Sequence, residues 1–229
     1  DPELSQALDD QIVSRGGVAD GNWLATEMGF ADDGAGKLSL HFPSVVETYG
    51  YEGLTWPGQE TGDCVSMCFR DLGLMTVCIE AKAGLPDERT GRVEQPPVVS
   101  DTARRNGVFS NEGIYLARMH SGQGMTCSEA AAWLLGEGGL ILRQKYEQAD
   151  LEKYNVKFEL PGSKGSPEWL DKIGRLHPVY DWTRPKGEEA VRDFIHRGKP
   201  TGVCAGLGFS DQRGEWGLTK LDGSWAHSW

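Results

Sequence analysis

Residues 62–82 read GDCVSMCFRDLGLMTVCIEAK, and once past Asp63 the segment is almost continuously apolar. Charge interrupts it only at Arg70, Asp71 and Glu80 before Lys82. A run of this length and composition predicts a buried central helix from Cys64 to about Lys82. Asp63 stands where an N-cap belongs, and Pro57-Gly58 and Gly62-Asp63 mark turns ahead of it.

Upstream of the helix the charge is one-sided. Residues 1–63 hold 12 Asp/Glu against 2 Lys/Arg, so they carry nearly all of the net charge of −11. Residues 1–56 therefore read as an acidic N-terminal arm, either simply solvated or used to dock onto a larger protein assembly, with residues 57–229 as the folded domain. Leu38, Leu40 and Phe42 alternate in a strand-like period of two. The absence of an initiator Met points to a processed start.

Downstream, residues 84–108 contain Pro86, Pro96 and Pro97 and read as loop. Thr126-Cys127-Ser128-Glu129 is a capping box that opens a helix over 126–137, ended by Gly136, Gly138 and Gly139. Residues 155–186 read as irregular. A third helix is predicted over 187–197, with Glu188 and Glu189 in its first turn. Strands are expected over 200–209 and 216–221. Helices early and strands late give the α+β class.

Composition excludes several functions. At 229 residues the chain can bury a sizeable core without staples. No apolar run is long enough to span a bilayer, and no signal peptide is visible, so a cytoplasmic or virion-associated setting is expected. The acidic balance argues against nucleic acid. The five cysteines (Cys64, Cys68, Cys78, Cys127, Cys204) show neither disulfide-framework nor zinc spacing, and read as reduced thiols. No cofactor or metal is called for.

The thiolate is the reactive form of cysteine, and a helix N-terminus favours it through its backbone dipoles. Cys64 and Cys127 both open predicted helices. Cys68, Cys78 and Cys204 fall inside elements and read as small core residues. A nucleophilic cysteine also needs a base. His41, His177 and His196 read as ordinary packing or surface residues, and His120 is a reserve candidate. His227, in Gly223-Ser224-Trp225-Ala226-His227, follows a predicted strand.

The segment Gln59-Glu60-Thr61-Gly62-Asp63-Cys64-Val65 resembles the start of the active-site helix in papain-like cysteine peptidases. Further matches follow in the family's order: Gly122-Gln123-Gly124 with the Ala130–Leu135 helix, then Glu189–Arg197 with Gly198, Lys199, Pro200 and Val203, then Trp216-Gly217-Leu218 with Ala226-His227. The separation of Cys64 and His227, 163 residues, lies near the family's usual interval of roughly 130–150. Three departures stand out. Asp63 and Val65 replace a small residue and an aromatic, the Gln-to-Cys spacing is about one residue short, and the chain ends two residues after His227.

The resemblance implies a two-lobed fold, with a helical lobe built on the Cys64 helix and an antiparallel β lobe carrying His227. It also implies a peptide or protein substrate. Cys64 would be the nucleophile, His227 the base, and Gln59 with the Cys64 N–H the oxyanion donors. The Asp63 carboxylate would cap the helix while opposing ionisation of the neighbouring sulfur. Two other readings compete. One is a cell-wall endopeptidase of the NlpC/P60 type, in which an Asp also precedes the nucleophile; Gly113-Ile114-Tyr115-Leu116 with His120 faintly resembles the relevant segment, but Asn111-Glu112 stands where that family's base sits. The other is a catalytically degenerate structural or assembly protein, for example of a phage particle.

Overall fold

The computed structural model describes residues 41–54, 57–86, 91–93, 95–118, 120–136, 138–159, 165–180, 182–183, 185–202, 204–205, 209–213, 219–221 and 227–228. Beyond residue 202 the backbone alone is described, as are Val156, Glu159 and His196. Among these residues helix α1 spans His41–Tyr49 and a 3₁₀ turn spans Tyr51–Leu54. The strand-like alternation around Phe42 does not hold, because Val45 and Tyr49, four apart, turn one helical face into the core. Leu38 and Leu40 lie outside the described residues. So do residues 1–40 of the acidic arm, whereas in its last part α1 packs against the central helix and the turn packs against α1.

That central helix, α2, spans Cys64–Ala83, as its apolar run predicts. Its buried residues include Val65, Cys68, Leu74, Cys78 and Ile79, but also Ser66 and Arg70. Gly84 ends it in the left-handed conformation, donating its N–H to the Ala81 carbonyl, while Leu85 N–H reaches Glu80 O at 3.0 Å.

Residues 84–108, expected as loop, contain helix α3 (Asp101–Arg105), where Ser100 Oγ accepts from Ala103 N–H at 3.1 Å. A serine cap sufficed to start a turn of helix within a charged, proline-bearing stretch. Strand β1 (Phe109–Ser110) and helix α4 (Glu112–Leu116) follow, and every residue of that helix is buried. Helix α5 (Cys127–Leu135) has the capping box complete: Glu129 N–H donates to Thr126 Oγ1 at 3.2 Å, and Thr126 N–H to Glu129 Oε2 at 2.7 Å. Strand β2 (Ile141–Leu142) pairs antiparallel with β1.

The stretch read as irregular holds α6 (Val156–Glu159) and α7 (Glu168–Gly174). Helix α8 covers Glu188–His196, within the predicted range. Short strands close the chain: β3 (Cys204–Ala205), β4 (Phe209–Arg213), β5 (Thr219–Leu221) and β6 (His227–Ser228). They pair antiparallel, β3 with β6 and β4 with β5. Helices combined with antiparallel strand pairs place the molecule in the α+β class.

The main core gathers on α2. Val45 and Tyr49 from α1, Phe109 from β1, Ile114 and Tyr115 from α4, and Ala130 and Leu134 from α5 cluster with Val65, Leu74 and Cys78. A second cluster joins Leu116, Ile141, Leu151 and Leu170, with Trp169 and Phe158 packed on it. The segment from Phe109 to Leu116 thus contributes to both clusters.

Candidate functional site

Cys64, Cys68 and Cys78 are thiols outside any disulfide. Cys68 and Cys78 are buried, and loss of solvation pushes their thiols up to about 12 and about 11. Cys64, the first residue of α2, is only partly buried. Of the three, it alone combines a helix start with access to solvent. The expectation of five reduced thiols fails at Cys127, which is disulfide-bonded. A sulfur held in a disulfide is not a nucleophile, so the other helix-opening cysteine drops out.

Behind Cys64 lies a polar cluster that the sequence reading missed. Asp63 is buried, and its carboxylate does not cap α2. Instead its Oδ2 accepts from Asn111 Nδ2 at 2.8 Å and from the Tyr154 hydroxyl at 2.9 Å. Asn111 Oδ1 faces the other way and accepts from Arg143 Nη2 at 2.8 Å and Arg70 Nη1 at 3.3 Å. Arg143 pairs with Glu112 at 2.9 Å and donates to the carbonyls of Asn106 and Leu151. Glu112 also accepts from the Ser110 hydroxyl at 2.6 Å and the Asn155 N–H at 2.8 Å. Two guanidiniums and two carboxylates are thus buried together with neutral amides between them. Burying ions is costly unless each is paired and hydrogen-bonded; Arg143 pairs with Glu112 and Arg70 with Asp71, while Asp63 is held by the neutral donors Asn111 and Tyr154.

The opposite flank is set by glycine. A Cβ at Gly62 would lie 2.7 Å from Gly124 N and 3.1 Å from Gln123 Cβ, so the 122–124 loop packs directly on the turn that precedes Cys64. The same α4 segment holds this loop. Tyr115 Oη accepts from Gly124 N–H at 3.1 Å, and Arg118 Nε donates to Gly122 O at 3.1 Å while its guanidinium sits 3.6 Å over the Tyr115 ring. His120 is exposed on this loop, where a Cβ at Gly122 would come within 3.3 Å of its Nδ1.

Scans against family models, curated proteins and solved structures return no match to this chain.

The nominated residues fare differently. Gln59 is exposed on the loop before Cys64, and its Nε2 donates one of its two hydrogens to Thr61 O at 2.6 Å, closing the turn. His227 lies in β6, opposite Ala205 of β3, and β6 packs against α2. Trp225, Ala226, Trp216, Gly217 and Val203 of the quoted motifs lie outside the described residues. His41 is buried in α1, and His177 packs its ring edge-on to Phe109 with centroids 6.3 Å apart. Both pack against neighbours, one of the two readings the sequence left open. Among the described residues no group of His, Cys, Asp or Glu is placed to hold a metal ion, and no helix is long and apolar enough to cross a membrane. For the buried cluster the available signal was Arg70, a lone guanidinium near the middle of a helix otherwise read as core.

Proposed function

We propose that the chain is a cysteine peptidase with a papain-like division into a helical lobe and a β lobe, acting through Cys64 and His227. The observation that carries the reading is the position of Cys64: a partly exposed thiol at the first residue of a buried 20-residue helix, against which the strand bearing His227 packs. In the proposed reaction the Cys64 thiolate attacks a peptide carbonyl carbon, and the carbonyl oxygen becomes an oxyanion. The Cys64 backbone N–H and the second amide hydrogen of Gln59 donate to it. His227 protonates the departing amine, and water then hydrolyses the thioester to regenerate the thiol. A well-placed oxyanion donor of this kind contributes about 3–4 kcal/mol to the transition state.

Brief exposure of the native protein to iodoacetamide at pH 6.5, with peptide mapping, tests the pair. Cys64 is expected to alkylate at least about tenfold faster than buried Cys68 and Cys78, and His227→Ala to slow it. Hydrolysis of denatured casein should fall by about 10⁴-fold or more in Cys64→Ala. Equal alkylation of all three cysteines would reject the assignment.

A second reading keeps Cys64 but takes the base from the 120–124 loop, a variation on the cell-wall endopeptidases of the NlpC/P60 type, whose own base position just before Gly113 holds Asn111-Glu112 here. It is favoured by the packing of that loop on Gly62. If His120→Ala, and not His227→Ala, slows alkylation of Cys64, this reading replaces the first.

A further inference from the structure

We infer that Asn111 and Tyr154 are positioning residues for the Cys64 nucleophile, acting through the buried carboxylate of Asp63; the inference rests on the peptidase reading of Cys64. The argument starts from the peptide bond that links Asp63 to Cys64. That unit is planar, so the direction of the Asp63 carbonyl fixes the direction of the Cys64 N–H, the proposed oxyanion donor. The carbonyl is held inside the first turn of α2, accepting from Met67 N–H at 3.0 Å and from the Ser66 hydroxyl at 2.7 Å. The rest of Asp63 is held by its side chain. Tyr154 and Asn111 both donate to Oδ2, across 91 and 48 residues of chain. A residue fixed at both its carbonyl and its carboxylate leaves the following N–H little freedom, and an oxyanion donor is effective only when it is oriented before the reaction.

The polarity of Asn111 is essential to the arrangement. Its Oδ1 faces the guanidiniums of Arg70 and Arg143, and its Nδ2 faces the carboxylate. An amide is the side chain that offers an acceptor to cations on one side and a donor to an anion on the other. Asn111 is at the N-cap position of α4 yet makes no cap bond with its side chain. It gives up the usual local partner of such a residue in order to hold the site.

The test uses the full chain, fluorescein-labelled denatured casein for turnover and iodoacetamide for the thiol. Tyr154→Phe removes one donor and no ring volume. It is expected to lower kcat about tenfold with KM within twofold, because the oxyanion donor is then less well oriented when the transition state forms. The rate of Cys64 alkylation, which forms no oxyanion, should stay within twofold. Asn111→Asp sets two carboxylates against each other and should lose more. The exchanged pair, Asp63→Asn with Asn111→Asp, restores donor against acceptor and puts the carboxylate on the two guanidiniums, so it should recover at least tenfold over Asn111→Asp alone. A merely structural role predicts equal losses in melting temperature and turnover, and no rescue. Unchanged kcat in Tyr154→Phe, or an exchanged pair no better than the single variant, overturns this inference alone. A wild-type Cys64 that alkylates no faster than Cys68 overturns the peptidase reading, and this inference with it.

Discussion

Gly62 shows how much a single position decides near the site. Its missing Cβ is what allows Gly124 N to approach, so Gly62→Ala forces the 122–124 loop away from the turn before Cys64. Overpacking against backbone, which cannot rotate aside, costs about 1–3 kcal/mol. We expect a lower urea midpoint and at least a tenfold loss of casein hydrolysis, because the displaced loop borders the nucleophile. An unchanged midpoint in Gly62→Ala would show that the loop yields freely. Gly107 is constrained twice over: its φ of 83° lies in the left-handed region, and a Cβ there would meet Arg70 Cζ at 3.0 Å. The residue that lets the chain turn also makes room for the guanidinium that faces Asn111.

At the scale of elements, helices with strong local signals form where those signals place them. Helix α5 is the clearest case, since both bonds of its capping box lie within four consecutive residues. Thr126→Ala should cost about 1 kcal/mol, read as a shift in the urea midpoint. The Thr126 N–H first, and its hydroxyl at 2.9 Å second, donate to the Glu129 carboxylate and hold it below its usual range. Their stabilisation is therefore complete above the unfolded carboxyl value and declines as pH falls through the folded one. The penalty of Thr126→Ala should accordingly be smaller at pH 3 than at pH 7, and an equal penalty at both would contradict the assignment. The short helices α3, α4 and α7 were not legible in sequence, because five to seven residues carry too few periods for an apolar face to show.

The whole molecule is drawn together by contacts between distant parts of the chain. Helix α1 lies against α2, and the His41 imidazole is buried there with the Gly198 backbone as a hydrogen-bond partner. Loss of solvation lowers the His41 imidazole from its ordinary value, and the Gly198 contact only partly opposes this. The fold thus favours the neutral ring. Its contribution is fully present above the unfolded value of about 6.5 and is lost as pH falls below it. The drop in urea midpoint between pH 7.5 and 5.5 should be smaller in His41→Gln than in wild type; an identical drop would place the pH dependence elsewhere. Cys127 adds a covalent constraint, so thiol labelling of the unfolded, unreduced protein should mark Cys64, Cys68 and Cys78 but not Cys127.

The sequence by itself determined what is local: the long helix from Cys64, the capped helix from Cys127, the acidic-fronted helix from Glu188, and the α+β class they imply. Each rests on signals within a few turns of chain, where caps, glycine stops and apolar periodicity act. It also narrowed the candidate nucleophiles to Cys64 and Cys127, by position at helix starts. Tertiary structure alone decided the state of Cys127, the burial of His41 and the direction of the Asp63 side chain, which sequence assigned to a helix cap. That carboxylate is turned inward by donors 48 and 91 residues away. A buried ion takes the partners that folding brings to it, and no spacing along the chain encodes which those are.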